Sequence, residues 1–292
     1  SVFTPLAGFS LHQVLANAET VAGIDRIQPV LVGLQLALTE LWRSYGVHPA
    51  AVVGHSMGEV TAAVVAGALR IADGLKVITT RSRLMAKLAG QGAMALIELG
   101  PDAAEALLAD YPDVTLAVYA SPRQTVIAGP PEQVDAVIAA VDAQDLLARR
   151  IEVDVASHHP TIDPILPDLR SELADLSPSA PTIALITTTV DHTEAAPAVD
   201  ADYWASNLRN PGRFTQSIAA AGAECGTFIE VSPHPLLTYA ISDTLGSTFR
   251  AIPTLQRGED DTLVFHTNRN ATHTDVPPQT QHRAEPHVML PT

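Results

Sequence analysis

AVVGHSMGEVTAAVVA, from Ala51 to Ala66, passes from strand to helix through a turn of five residues. Ala51 to Val53 is a short apolar run of the kind that forms a buried strand; Gly54-His55-Ser56-Met57-Gly58 is a sharp turn; Glu59 to Leu69 has helical composition. That order puts Ser56 at an elbow. Glycine on either side lets backbones come close and holds the serine in a tight geometry, its hydroxyl exposed at the end of a sheet. The first N–H groups of the following helix have no partner within it, and Met57 leads them towards any oxyanion formed on a carbonyl that Ser56 attacks. Ser56 is therefore a candidate nucleophile and the Met57 N–H a candidate oxyanion donor.

The whole chain has 292 residues, room for one large domain or two, and 47% of them are apolar, so most of it is expected to fold. Acidic side chains outnumber basic ones by 32 to 17, a formal charge of −15 that argues against nucleic acid or an anionic membrane as partner. Any anionic ligand must meet a local cation. The single cysteine, Cys225, cannot form an internal disulfide, which is compatible with a cytoplasmic protein, and it reads as a small buried hydrophobe. No signal peptide is read at Ser1. The longest apolar stretch, Ala50 to Leu69, holds His55, Glu59, Thr61 and a turn, so no membrane span is expected.

Ser10 is placed to cap a helix from Leu11 to Ala18, and Asp25 a longer one with Pro29 in its first turn and Gly46 at its end. After the elbow, Asp73 is read as the cap of a helix running to about Leu88. Its apolar stripe is Val77, Ile78, Leu84, Met85 and Leu88, and Arg81 falls in the middle of that stripe, where a guanidinium must be paired or have a purpose. From Ala93 to Val153 the pattern changes to strand, helix, strand, strand, helix, strand, the ferredoxin-like split unit, which reads as a small inserted domain. The main domain resumes at Val155-Ala156-Ser157-His158-His159-Pro160. A helix is expected around Ile162 to Leu173, a strand from Thr182 to Thr189, helices near Tyr203 to Leu208 and from Arg213 to Ala221, a strand from Thr227 to Val231, and a Ser232-Pro233-His234-Pro235 turn into a helix from Leu236. Beyond about Leu255 the composition is polar and proline-rich. Residues 256–292 are read as an extended linker, its histidines solvated and not metal ligands.

A serine nucleophile needs a base, and histidine is the usual one. His12, His48 and His192 have no special company in the sequence, and His55 sits on the turn but points away from Ser56. Periodicity alone leaves His158, His159 and His234 open.

A family resemblance separates them. GHSMGE, an arginine twenty-five residues after the serine, V-A-S-H at 155–158, Y-W-x-x-N-L-R at 203–209 and S-P-H-P at 232–235 together resemble the acyltransferase domain of modular type I polyketide synthases, a relative of the malonyl transferases of fatty-acid synthesis. The likeness runs from about Phe9 to Gln256. It implies an α/β fold: an α/β-hydrolase-like large subdomain, residues 1–92 and 154–255, interrupted by the ferredoxin-like small one, residues 93–153. It implies that Ser56 is acylated, that His158 is the general base, and that Arg81 pairs with the free carboxylate of a malonyl-type group. It implies ping-pong transfer from an acyl-CoA to the phosphopantetheine thiol of an acyl carrier protein, beside the other domains of a synthase and with no cofactor bound by the domain itself. A backbone carbonyl orients the base in this family, and the His234 turn is a candidate to supply it. His55, Val155 and Ser157 complete the expected substrate site. Small Ser157 leaves room for an α-methyl group where malonyl-specific members carry phenylalanine. Ile24-Asp25-Arg26-Ile27-Gln28 resembles the V-D-x-V-Q signature of methylmalonyl enzymes, and Met57 points the same way. Methylmalonyl-CoA is the expected substrate, as a preference worth about 1–3 kcal/mol over malonyl.

Two features depart from the family. Its usual first strand ends in G-Q-G-S-Q and contributes half of the oxyanion hole, and nothing like it stands before Phe9; Ala120 stands where asparagine is usual. Beside the transferase stand a malonyl-specific transferase, a serine hydrolase or thioesterase, whose ester pocket needs no buried cation, and an inactive docking module.

Overall fold

Residues 2–190, 197–272 and 287–291 are described by the structure, a computed structural model. Phe3–Ala7 (α1) and Leu11–Ala16 (α2) come first, the second capped by the Ser10 hydroxyl, which accepts from the Gln13 N–H. Ile24–Ser44 (α3) starts one residue before Asp25, with Gly23 as its cap, so Pro29 lies in the second turn instead of the first. Ala51–Val53 (β1) is wholly buried and leads through the elbow into Gly58–Val65 (α4). Ile71–Ala86 (α5) is capped at Arg70, and Asp73, expected there as the cap, sits in the first turn and binds the Arg70 side chain at 2.7 Å.

The inserted unit comprises Ala93–Ile97 (β2), Pro101–Leu108 (α6), Thr115–Ser121 (β3), Gln124–Gly129 (β4), Pro131–Asp142 (α7) and Ala148–Arg150 (β5). Its sheet runs β3-β4-β2-β5 with antiparallel pairs, as the split order requires. Ile97, Leu108, Ile127, Val134, Val137 and Val141 give it a core of its own. Chain exit and return pack tightly: a Cβ on Gly92 would lie 2.3 Å from the Ala156 nitrogen, so only glycine fits there.

A 3-10 turn, Pro160–Ile165, precedes Leu166–Glu172 (α8), because a single α-helix from Ile162 would put Pro167 in its second turn, where its missing N–H breaks the ladder, whereas a start at Leu166 puts it in the first. Then follow Ala184–Ile186 (β6), Ala201–Arg209 (α9), Phe214–Gly222 (α10), Thr227–Val231 (β7), Thr238–Leu245 (α11), Arg250–Pro253 (β8), Asp261–Ala271 (α12) and His287–Pro291 (β9). The large sheet is parallel throughout, in the order β6-β1-β9-β7-β8. The parallel sheet and its helices, with the inserted antiparallel unit, make an α/β fold.

The polar tail differs from the expected linker. Asp260 caps α12 through the Leu263 N–H, and Phe265, 4% exposed, packs on Trp42 with ring centroids 4.9 Å apart. His266, half-buried, meets the Tyr45 ring edge-on. One buried aromatic docks this helix, too sparse a pattern to show as periodicity. β9 lies between β1 and β7, where it satisfies two rows of backbone hydrogen-bonding groups that would otherwise face each other unpaired. His192, His273 and His282 lie outside the described residues. Among the described residues no helix is long and apolar enough to cross a membrane. Cys225 is 4% exposed, and burial pushes its thiol pKa up.

Candidate active site

The elbow depends on backbone contact. A Cβ at Gly54 would stand 2.3 Å from the Glu59 Cα, so β1 and α4 approach as they do only with glycine there. Ser56 has a φ of 51°, the left-handed region. The Gly58 and Glu59 N–H groups bond back to His55 and Ser56 carbonyls, whereas the Met57 N–H has no acceptor among the described residues. It remains available beside Ser56 for an oxyanion.

Ser56 Oγ lies 2.8 Å from His158 Nε2, and His158 Nδ1 lies 2.6 Å from the Asn210 carbonyl oxygen. A carbonyl only accepts, so Nδ1 carries the proton and Nε2 is left to accept from the Ser56 hydroxyl. Burial above all, then the Arg81 charge, lowers the His158 pKa to about 3, against the Asn210 hydrogen bond that raises it. The imidazole is therefore neutral in the free protein, the form a general base requires.

The carbonyl behind His158 thus belongs to Asn210, not to the His234 turn. His234 closes its own loop, its carbonyl accepting from Ser232 and its Nδ1 from the Arg257 N–H at 3.3 Å. The Glu230 carboxylate ties that loop down through the Leu236, Leu237 and Thr238 N–H groups. Asn210 follows directly on the Y-W-x-x-N-L-R stretch and is identifiable there only as the residue that stops α9.

Arg81 is 2% exposed. Its Nη1 donates to Gln28 Oε1 at 2.9 Å and its Nη2 to Ser56 Oγ at 3.3 Å, while Nε has no partner among the described residues. Burial lowers its pKa to about 10, partly offset by the field of Glu59, so it keeps its charge near neutrality. Glu59, buried beneath the elbow, is not its ion-pair partner: the carboxylate accepts from the Thr188 N–H at 2.7 Å and from the Thr188, Thr189 and Tyr203 hydroxyls. Burial raises the Glu59 pKa against those hydrogen bonds. Asn207 donates to the Ser56 carbonyl and to Thr189 Oγ1, both at 3.2 Å. Gln28, Glu59 and Asn207 all lie within motifs quoted for the resemblance, yet nothing in spacing reveals their partners.

The remaining candidates divide. His55 turns its ring edge-on to Phe214, centroids 5.3 Å apart, and burial lowers its pKa to about 4. Val155 belongs to the large core at 1% exposure. Ser157 is buried beside His158. A cavity of about 720 Å³ opens next to Met57 and Gln28, walled by Ile24, Ile27, Leu31, Ile151 and Val153 and rimmed by Arg150, Glu152 and Asp154. Among the described residues no group of three or more histidine, cysteine, aspartate or glutamate side chains is arranged to hold a metal.

Residues 1–277 match the family described as the acyl transferase domain. The chain belongs to that family. It is 67% identical over 267 residues to one of the phenolphthiocerol/phthiocerol polyketide synthase proteins of Mycobacterium tuberculosis, an alignment covering 91% of this chain and 14% of that much longer relative. Among solved structures, the acyltransferase domain of the polyketide synthase PpsC of Mycobacterium tuberculosis superposes with a TM-score of 0.86 at 55% identity, over 88% of this chain and 80% of that one. The acyltransferase domain from module 8 of the salinomycin polyketide synthase gives 0.85 at 34% identity, over 94% and 67%. The chain is thus an acyltransferase domain of the polyketide synthase type, and the fold expected from the resemblance holds.

Proposed function

We propose that this domain moves a methylmalonyl unit from CoA to the phosphopantetheine thiol of an acyl carrier protein through an acyl-Ser56 intermediate. The observation that carries the reading is a buried guanidinium, unpaired with any acid among the described residues, 3.3 Å from a serine that is itself bonded to a neutral histidine. Ser56 Oγ attacks the thioester carbonyl while its proton passes to His158 Nε2. The Met57 N–H donates to the oxyanion, and Arg81 holds the substrate carboxylate. Collapse breaks the carbon–sulfur bond, and His158 returns the proton to the CoA thiolate. The pantetheine thiol then gives its proton to His158 and attacks the acyl ester, and Ser56 recovers the proton as it leaves. The carrier and the other synthase domains are the partners this chemistry needs; the pantetheine arm belongs to the carrier, so the domain binds no cofactor of its own.

Preference for methylmalonyl over malonyl is argued from the resemblance: Ser157, small and buried, stands where malonyl-specific members carry phenylalanine. A carbonyl in place of an acid behind His158 favours transfer over the triad of a serine hydrolase. Intact-mass measurement after separate incubation with methylmalonyl-, malonyl- and acetyl-CoA tests the reading. A methylmalonyl adduct absent in Ser56→Ala is expected, and labelling by acetyl-CoA alone would remove the role given to Arg81. No adduct from any of the three would favour an inactive docking module.

A further inference from the structure

The guanidinium of Arg81 has two usable edges, and only one is taken up by protein. Nη1 is held by the Gln28 side-chain oxygen at 2.9 Å. Nε and Nη2 share the other edge; among the described residues Nε has no partner, and Nη2 makes only the 3.3 Å contact to Ser56 Oγ. A carboxylate binds arginine best through two parallel N–H donors, and the Nε–Nη2 edge is such a pair, turned towards the serine. Gln28 lies near the N-terminus of α3, is 8% exposed, and also lines the cavity that Met57 walls. Its amide accepts from Arg81 without carrying charge.

We propose that Gln28 is a positioning residue that reserves Arg81 for carboxylated acyl groups, by fixing one edge of the guanidinium and leaving its charge uncompensated. The inference rests on the reading of Ser56 as the acylated serine and adds a second determinant of substrate class. An acid at this position would pair with Arg81 before substrate arrived. An apolar side chain would leave Nη1 without an acceptor and the fork free to turn away from Ser56. In both cases the loss falls on substrates that carry a carboxylate and spares those that do not, because the Ser56–His158 pair is untouched.

Single-turnover acylation by methylmalonyl-CoA and by propionyl-CoA, which has the same carbon skeleton without the carboxylate, is the test, with thermal unfolding of each variant alongside. In Gln28→Glu the methylmalonyl rate relative to the propionyl rate is expected to fall about 10- to 100-fold, the scale of one charge-assisted hydrogen bond. In Gln28→Met the same ratio is expected to fall, with the change mainly in the methylmalonyl-CoA concentration that gives half the maximal acylation rate. If Gln28→Glu does not fold, the Gln28→Met ratio decides. Equal losses for both substrates in a folded variant, or no loss for either, would overturn the proposal. Wild-type protein that takes up neither substrate at Ser56 would instead overturn the acyl-serine reading, so the two failures are distinct.

Discussion

Ser56 and His158, 102 residues apart, are both held in left-handed backbone, at φ 51° and 61°, and both are fastened to the end of one helix. Asn207 donates to the Ser56 carbonyl, the Leu208 carbonyl accepts from the His158 N–H at 2.9 Å, and the Asn210 carbonyl accepts from His158 Nδ1. Non-glycine residues in this region cost of order 1–3 kcal/mol each and persist only where their surroundings over-determine them. The end of α9 supplies that constraint, so the pair is set up before any substrate arrives.

Asn207→Ala removes the tether on Ser56 and leaves Thr189 without one of its donors. Denaturant unfolding should show a loss of about 1–3 kcal/mol, the usual effect of breaking a buried hydrogen bond. Acylation of Ser56 should slow as well, since the elbow is no longer held from this side. Unchanged stability together with an unchanged acylation rate would show that the strained turn is held by the β1–α4 contact alone.

The pH dependence follows from the two buried imidazoles. The folded pKa of His158 is lowered to about 3 and that of His55 to about 4, from 6.5, by burial first in each case. Above pH 6.5 both are neutral in folded and unfolded chains alike, so they add no pH dependence there. Between 6.5 and those folded values the unfolded chain binds the extra protons, and acid favours unfolding. The thermal midpoint is therefore expected to fall as pH drops below 6.5. Acylation should show no inflection near 6.5 while the protein stays folded; a limb at that pH would mean that His158 titrates as an exposed histidine.

Strand, turn and helix around Ser56 are legible in the sequence because each has its own local signature, and so is the split unit, whose Pro101 and Pro131 helix starts and alternating strands are short-range features. Arg81 is legible as a breach of an apolar stripe. That His158 is the histidine paired with Ser56 is legible only through the resemblance, because spacing treats His158, His159 and His234 alike. What escapes is mostly non-local. The Asn210 carbonyl reaches across 52 residues to His158, and the Gln28 amide across 53 to Arg81, contacts that no period encodes.

Ser157→Phe tests the proposed extender pocket. Ser157 is 9% exposed, and on the proposed reading an aromatic ring in its place takes the space that a methyl group on the α-carbon would use. Competition between methylmalonyl- and malonyl-CoA for Ser56 should shift towards malonyl by about 1–3 kcal/mol, the scale of one methylene in a pocket. An unchanged ratio in a folded variant would remove Ser157 as the determinant.

The tail offers a test of stability without chemistry. Phe265 is the buried anchor of α12, packed at a tilt against Trp42 and 5.4 Å from the Tyr45 ring, and the Trp42 indole N–H in turn donates to Thr254 at 2.9 Å. Phe265→Ala should therefore cost about 3–5 kcal/mol, as for other buried aromatics cut back to alanine, with the loss read by denaturant unfolding. A solvated linker would lose nothing. Because α12 packs on α3, which also carries Gln28, a secondary loss of methylmalonyl selectivity is expected only if unpacking Trp42 shifts the start of α3. Unfolding and substrate ratio measured on the same variant separate the two effects: a stability loss with an unchanged ratio places α12 in the scaffold alone.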